Sequence, residues 1–124
     1  TATVEEEATA GFHDRGMAGA PDFPTAALVL DGTWRRLDLQ AIVPEGAQAV
    51  CMRVYIAAAG AGESFALRRA DGVLTANLGR FFTQTGAAPF EGDLLVACTA
   101  DCAVEYNGTA GLTDAVLTVR GWWT

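Results

Sequence analysis

The sequence predicts an all-β protein, an antiparallel two-sheet sandwich or jelly roll of about eight strands with an extended N-terminal arm. Short apolar or alternating runs follow one another from residue 26 to the end, as is typical of sequential strands. Three dipeptides suited to tight hairpin turns lie between such runs: Asp31-Gly32, Asp71-Gly72 and Asn107-Gly108. No window has the apolar period of a long amphipathic helix. A closed barrel is the alternative architecture.

Residues 1–25 are predicted to form the arm, and residues 26–124 a single β domain. The arm combines a carboxylate run with two prolines and has no apolar period. Its apolar side chains, Phe12, Met17 and Phe23, are spaced for neither a strand nor a helix. We therefore expect them to be buried against a neighbouring surface rather than within the arm itself.

Each turn dipeptide predicts a hairpin, because Asp-Gly and Asn-Gly tolerate the positive φ of a two-residue loop. The first hairpin would pair 26–30 with 33–39, and the second would pair 64–69 with 73–78. The third would turn at Asn107-Gly108, connecting 103–106 to the last strand.

The remaining strands are predicted at 47–57, 81–83, 93–98 and 114–123. In the first of these, alternate residues point to one face, so four aliphatic side chains should form a buried row: Val50, Met52, Val54 and Ile56. In the last strand, the same alternation sets Val116, Thr118, Arg120 and Trp122 opposite Leu117, Val119 and Trp123.

The length of 124 residues suits one domain, and a hydrophobic share of 51% excludes disorder throughout the chain. A net charge of −7 disfavours nucleic acid and anionic membrane surfaces as partners. No apolar run approaches the roughly 20 residues that span a bilayer. The first residues lack the basic and apolar regions of a signal peptide, so none is expected. Every basic residue is arginine and alanine is abundant, which is typical of GC-rich bacterial or phage coding sequences.

No catalytic residue, cofactor site or metal site is predicted. The single histidine, His13, lies in the arm, where it cannot complete a Ser-His-Asp or Cys-His arrangement without folding back. Cys51, Cys98 and Cys102 are expected as free buried thiols, and a disulfide between Cys98 and Cys102 is the alternative. Most acidic residues have a role as turn formers, although loop carboxylates leave calcium binding open.

Aromatic side chains are the remaining candidates for binding a partner or stacking on a sugar. Adjacent residues of a strand point to opposite faces, so Trp122 and Trp123 cannot both lie in the core. One of them should lie at an interface or under the arm. With the three apolar residues of the arm, the candidate binding residues are Phe12, Met17, Phe23, Trp34, Tyr55, Tyr106, Trp122 and Trp123.

The stretch 34–54 resembles a β-sandwich module of phage and gene-transfer-agent structural proteins. In that module a strand led by tryptophan, a Val-Pro-x-Gly-Ala turn and an apolar strand follow in order, here as Trp34, the turn at 43–47 and the strand after it. The segments 65–68 and 119–122 are compatible with it. The resemblance implies a head-decoration, head-spike or tail-fibre-like protein that is homo-oligomeric and carries no catalytic residues.

The leading hypothesis is therefore a noncatalytic virion structural, decoration or attachment protein of a phage-like particle, assembled in the bacterial cytoplasm. The arm would bind other virion proteins, and a sandwich face would make further contacts. The acidic charge suits display outward from a particle. The alternative is a carbohydrate-binding β-sandwich module that uses Trp34 or Tyr106 as a stacking platform for a glycan.

Overall fold

The computed structural model describes residues 11–71, 78–85 and 88–124. Within these ranges the chain forms eight strands: β1 (Phe12–Asp14), β2 (Arg35–Asp38), β3 (Ala49–Ala58), β4 (Ser64–Arg69), β5 (Gly79–Phe82), β6 (Phe90–Ala97), β7 (Ala103–Gly108) and β8 (Leu112–Trp123). A single 3-10 turn, Thr25–Ala27, is the helical element of this part of the chain. No helix among the described residues is long and apolar enough to cross a membrane.

The strands form two antiparallel four-stranded sheets. Sheet A has the order β1-β8-β3-β6, and sheet B has the order β2-β7-β4-β5. Strands of the first half of the chain pair with strands of the second half in reverse order, as β1·β8, β2·β7, β3·β6 and β4·β5. This is the arrangement of a long antiparallel hairpin rolled into two facing sheets, a jelly roll. The predicted all-β sandwich is confirmed.

The core lies between the inner faces of the two sheets, and β3 supplies its central row. Val50, Met52, Val54 and Ile56 are each fully buried, as the alternation of β3 predicted. The facing sheet contributes Phe65 and other side chains of β4 and β7, among them Leu67 and Val104. The prediction of a single inward row in β3 is confirmed.

Part of the predicted N-terminal arm pairs with the domain's own sheet. Residues 1–10 lie outside the described part of the chain, but residues 11–25 run along the outer edge of β8. β1 pairs with the end of β8, and Phe23 forms a β-bridge with Leu117. Thr25 bonds through its hydroxyl to the backbone of Ala115. Pairing along an edge uses backbone groups, which require no apolar period, so the sequence pattern did not reveal it.

Two of the three predicted hairpins are also wrong. Gly32 adopts the expected positive φ of 77°, but residues 26–30 form no strand and β2 pairs with β7 instead. Asn107 and Gly108 do not turn; they continue β7 and pair with β4. A Cβ at Gly108 would lie 2.5 Å from Leu30 Cδ2, so close packing explains this glycine. The dipeptides predict a turn from their local preference alone, whereas packing between distant segments decides their conformation.

The predicted hairpin at 71–72 falls partly outside the described residues. Sheet B does contain an antiparallel β4·β5 pair, in which Leu67 lies opposite Gly79 and Ser64 opposite Phe82. The predicted strand 73–78 lies almost entirely outside the described residues, and β5 corresponds to the strand predicted at 81–83.

A β-bulge in β8 reverses the faces of its last residues. Cys51 of β3 pairs with Gly121, whereas the next residue, Met52, pairs with Val119, so Arg120 is the extra residue. Trp122 consequently lies opposite the buried Val50 and packs against the core, and Trp123 lies on the outer face. Simple alternation had placed Trp123 with Leu117 and Val119, which is wrong.

Candidate functional site

The outer face of sheet A carries an apolar patch that crosses all four strands. The registers align Phe12, Trp123, Ala49 and Ala97 in one row across β1, β8, β3 and β6. The adjacent row adds Cys51 and Leu95. We call this surface the outer patch: Phe12, Trp123, Ala49, Ala97, Cys51 and Leu95.

Two of the sequence-predicted binding residues meet in the outer patch. The rings of Phe12 and Trp123 are 4.7 Å apart between centroids and tilted by 54°. The Phe12 ring also lies across Gly121, where any side chain would overlap it. Phe12 nevertheless remains 47% exposed, and Leu95 at the opposite end of the patch is 62% exposed. Large apolar side chains left in solvent in one contiguous area are typical of a contact surface.

A charged ladder borders the outer patch on the same face. Arg53 is 3.3 Å from the Glu91 carboxylate and 3.6 Å from that of Asp93, and Arg120 is 2.9 Å from Asp93. Two arginines therefore balance two carboxylates on strands β3, β6 and β8. An apolar centre with a polar rim is the usual anatomy of a protein interface.

The other aromatic candidates are dispersed. Tyr106 is buried at 4% exposure, stacks on Phe65 and accepts a hydrogen bond from Val29 N at 2.9 Å. The prediction of Tyr106 as a surface platform is wrong, because β7 turns this position toward the core. Trp34 is half-buried with the Arg68 guanidinium 4.0 Å above its ring, and Arg68 also donates to Glu105 at 2.9 Å.

Three further candidates also lie outside any common site. Phe23 packs against the core, and Tyr55 is half-buried on the outer face of sheet A. Met17 is fully exposed in the loop that follows β1. Of the eight predicted binding residues, the structure therefore brings together Phe12 and Trp123. Sequence reasoning missed Leu95, whose position on an outer face follows from the alternation of β6 once that strand is known.

The three cysteines are free thiols, and the alternative disulfide between Cys98 and Cys102 is not formed. Cys98 and Cys102 are buried, as predicted, whereas Cys51 is only half-buried on the outer face of sheet A, so its predicted burial is wrong. Cys98 Sγ donates to Ala47 O and Cys102 Sγ donates to Pro44 O, each at 3.2 Å. Both thiols thus hold the turn that precedes β3. Burial raises the pKa of both, as it does for Cys51. A thiol whose pKa is raised is a poor nucleophile at neutral pH.

A surface cleft next to this turn is lined by Gln40, Glu45, Asp101 and Cys102 together with Val43 and Ala100. Two of its polar groups, the Asp101 carboxylate and the Cys102 thiol, are hydrogen-bonded within the fold. Thr99 and Arg36 hydrogen-bond to Asp101 and lower the pKa of its carboxyl group. The cleft offers neither a histidine nor a serine to act as a base or nucleophile.

The described residues contain no group of three or more His, Cys, Asp or Glu side chains placed to hold a metal ion. His13 lies in β1 with Nε2 3.0 Å from Thr124 Oγ1. The outer patch is the feature in the described residues with the geometry of a binding surface.

Comparison with known proteins gives a structural likeness but no sequence match. No protein-family model matches the chain, and no curated protein sequence matches it. Among solved structures, the coat protein of Tobacco streak virus is similar, with a TM-score of 0.40 and 8% sequence identity. The likeness covers 93% of this chain and 83% of the coat protein.

Proposed function

We propose that this chain is a noncatalytic structural protein of a phage-like virion, a decoration or attachment protein that works through protein contacts. The observation that carries the proposal is the outer patch, an apolar surface with a balanced charged rim on the open face of a jelly roll. Jelly rolls also occur in lectins and cupins, so the fold does not by itself select a function. The patch favours protein as the partner.

Of the two aromatic side chains that the glycan-binding alternative would use to stack on a sugar, one is not accessible. Tyr106 is buried, and the Arg68 guanidinium covers one face of Trp34. A sugar ring stacks on an open aromatic face. Trp34 retains its other face for this purpose, and Phe12 and Trp123 are tilted against each other rather than laid side by side as a flat platform.

The attachment role predicted for residues 1–25 is here proposed for residues 1–10 alone. This segment contains the run Glu5, Glu6 and Glu7 and leads into β1 at one edge of sheet A. We infer that it binds a neighbouring virion protein, since an acidic run suits a basic surface on that partner. Residues 11–25, in contrast, serve this domain's own sheet.

The test starts from a bacterial strain that carries the coding sequence of this chain. That sequence is deleted, and the particles that the deletion strain produces on induction are purified. Purified chain added to these particles should co-sediment with them and label their surface in immunogold micrographs. Removal of residues 1–10 should abolish co-sedimentation while leaving the thermal midpoint unchanged. If the complete chain stays in the supernatant, the virion role is refuted. Binding to host polysaccharide that Trp34→Ala removes would favour the glycan-binding alternative instead.

A further inference from the structure

The free edges of the two sheets differ greatly in length. β1, β2 and β5 are edge strands of three, four and four residues, whereas the edge strand β6 has eight. β6 pairs with β3 on one side along its whole length. On its other side, no backbone hydrogen bond from the described residues reaches it. A long edge strand with unpaired amide and carbonyl groups is a template for pairing with another chain.

Most of the usual protections of such an edge are missing from β6. Its sequence contains neither proline nor lysine, and no bulge interrupts its pairing with β3. The carboxylates of Glu91 and Asp93 are the charges that it carries, and both are paired with arginines. Leu95, 62% exposed, stands on its outer face. An exposed leucine on a long edge strand is typical of a surface that pairs with another chain.

We propose that β6 pairs with β6 of a second copy of this chain, antiparallel about a two-fold axis at Leu95, to form one continuous eight-stranded sheet. This register places Leu95 against Leu95 of the second copy and Asp93 opposite Ala97. A register centred on Asp93 would instead oppose two like charges, which is destabilising. The two outer patches then lie side by side on the same face of the joined sheet.

A second copy fits this surface electrostatically despite the acidity of the chain. The net charge of −7 opposes self-association in general. Near the edge, however, Arg53 and Arg120 neutralise Glu91 and Asp93 within each copy. A surface that is locally neutral and apolar meets an identical surface without repulsion, whereas a strongly basic partner would find no excess negative charge there.

The first test is the size of the complete chain in solution by sedimentation velocity over a range of concentrations. We expect a dimer for the unchanged chain. Leu95→Asp should weaken dimerisation by at least about thirtyfold, the effect of removing one interface hot spot. The matched control is Val29→Asp, which changes a 47% exposed aliphatic residue away from sheet A and should leave the dimer intact. A monomeric unchanged chain, or equal dimerisation of both variants, overturns the proposal.

The second test fixes the register. In a Cys51→Ala background, Leu95→Cys should be cross-linked between copies by a short bismaleimide, because directly opposite Cβ atoms are about 5 Å apart. Val29→Cys in the same background should give little cross-linked dimer, and equal yields would overturn the register. The proposal uses the same face as the proposed function but concerns the isolated chain. A monomer would refute it without bearing on particle attachment.

Discussion

Asp22 is predicted to stabilise the whole domain, although it lies in the segment that the sequence assigned to a detachable arm. Its Oδ2 accepts a hydrogen bond from Val119 N at 2.8 Å and forms an ion pair with Arg15. Asp22 thus takes the place of a neighbouring strand on the side of β8 away from β3, beyond the end of its pairing with β1. Its side chain is 9% exposed, and Val119 is 1% exposed.

Asp22→Ala leaves the Val119 amide buried without an acceptor, which costs about 1–3 kcal/mol, and leaves the partly buried Arg15 without its partner. We expect a total loss of about 2–4 kcal/mol in the free energy of unfolding. A domain of this size has about 5–15 kcal/mol in all, so the loss is large. Urea denaturation followed by circular dichroism measures it, and the thermal midpoint should fall by roughly 10 °C.

The matched control is Asp38→Ala, which also removes an aspartate that is paired with an arginine, Arg36 at 2.9 Å. The Asp38 side chain is 60% exposed, so its ion pair contributes no more than about 1 kcal/mol. Asp22→Asn, which keeps an acceptor for Val119 N, should fall between the two. If Asp22→Ala and Asp38→Ala lower stability equally, residues 11–25 are a detachable arm after all.

Three further predictions test the core, the thiols and the charges. Val54→Ala should lower the free energy of unfolding, measured by urea denaturation, by about 1–3 kcal/mol because Val54 is fully buried. Arg53→Ala on the exposed face should lower it by less than about 1 kcal/mol. Equal losses would mean that the faces of β3 are misassigned. Cys98 should resist iodoacetamide at pH 8 until the protein is unfolded, since burial raises its pKa, and mass spectrometry after rapid alkylation would reveal any early modification. Thr99 and Arg36 lower the pKa of the Asp101 carboxyl group in the folded state. The ionised Asp101 carboxylate therefore stabilises the fold at pH values above its unfolded-state pKa, and this stabilisation is lost as the pH falls through its folded-state pKa. Arg36→Ala should raise this pKa in a carboxyl NMR titration, and an unchanged value would show that the ion pair does not form in solution.

Local patterns in the sequence were sufficient for the fold class and for the central strand. The alternation at 47–57 placed Val50, Met52, Val54 and Ile56 on one buried face, because the side-chain period of a strand follows from the backbone alone. An odd cysteine count left at least one thiol unpaired within the chain, and the usual burial of cysteine favoured all three as free thiols. The conflict between Trp122 and Trp123 was also visible, since neighbours in a strand cannot share a face.

Tertiary structure alone decided the first strand, the hairpins and the outer patch. β1 is held by backbone pairing with the end of a strand more than a hundred residues away, and backbone groups leave no trace in the side-chain pattern. The bulge at Arg120 exchanged the faces of Trp122 and Trp123, which no local rule specifies. The patch brings Phe12 and Leu95 together from opposite edges of sheet A, so it exists only once the order β1-β8-β3-β6 is set. Period and composition are properties of one segment, whereas strand order and register depend on the packing of segments far apart in the chain.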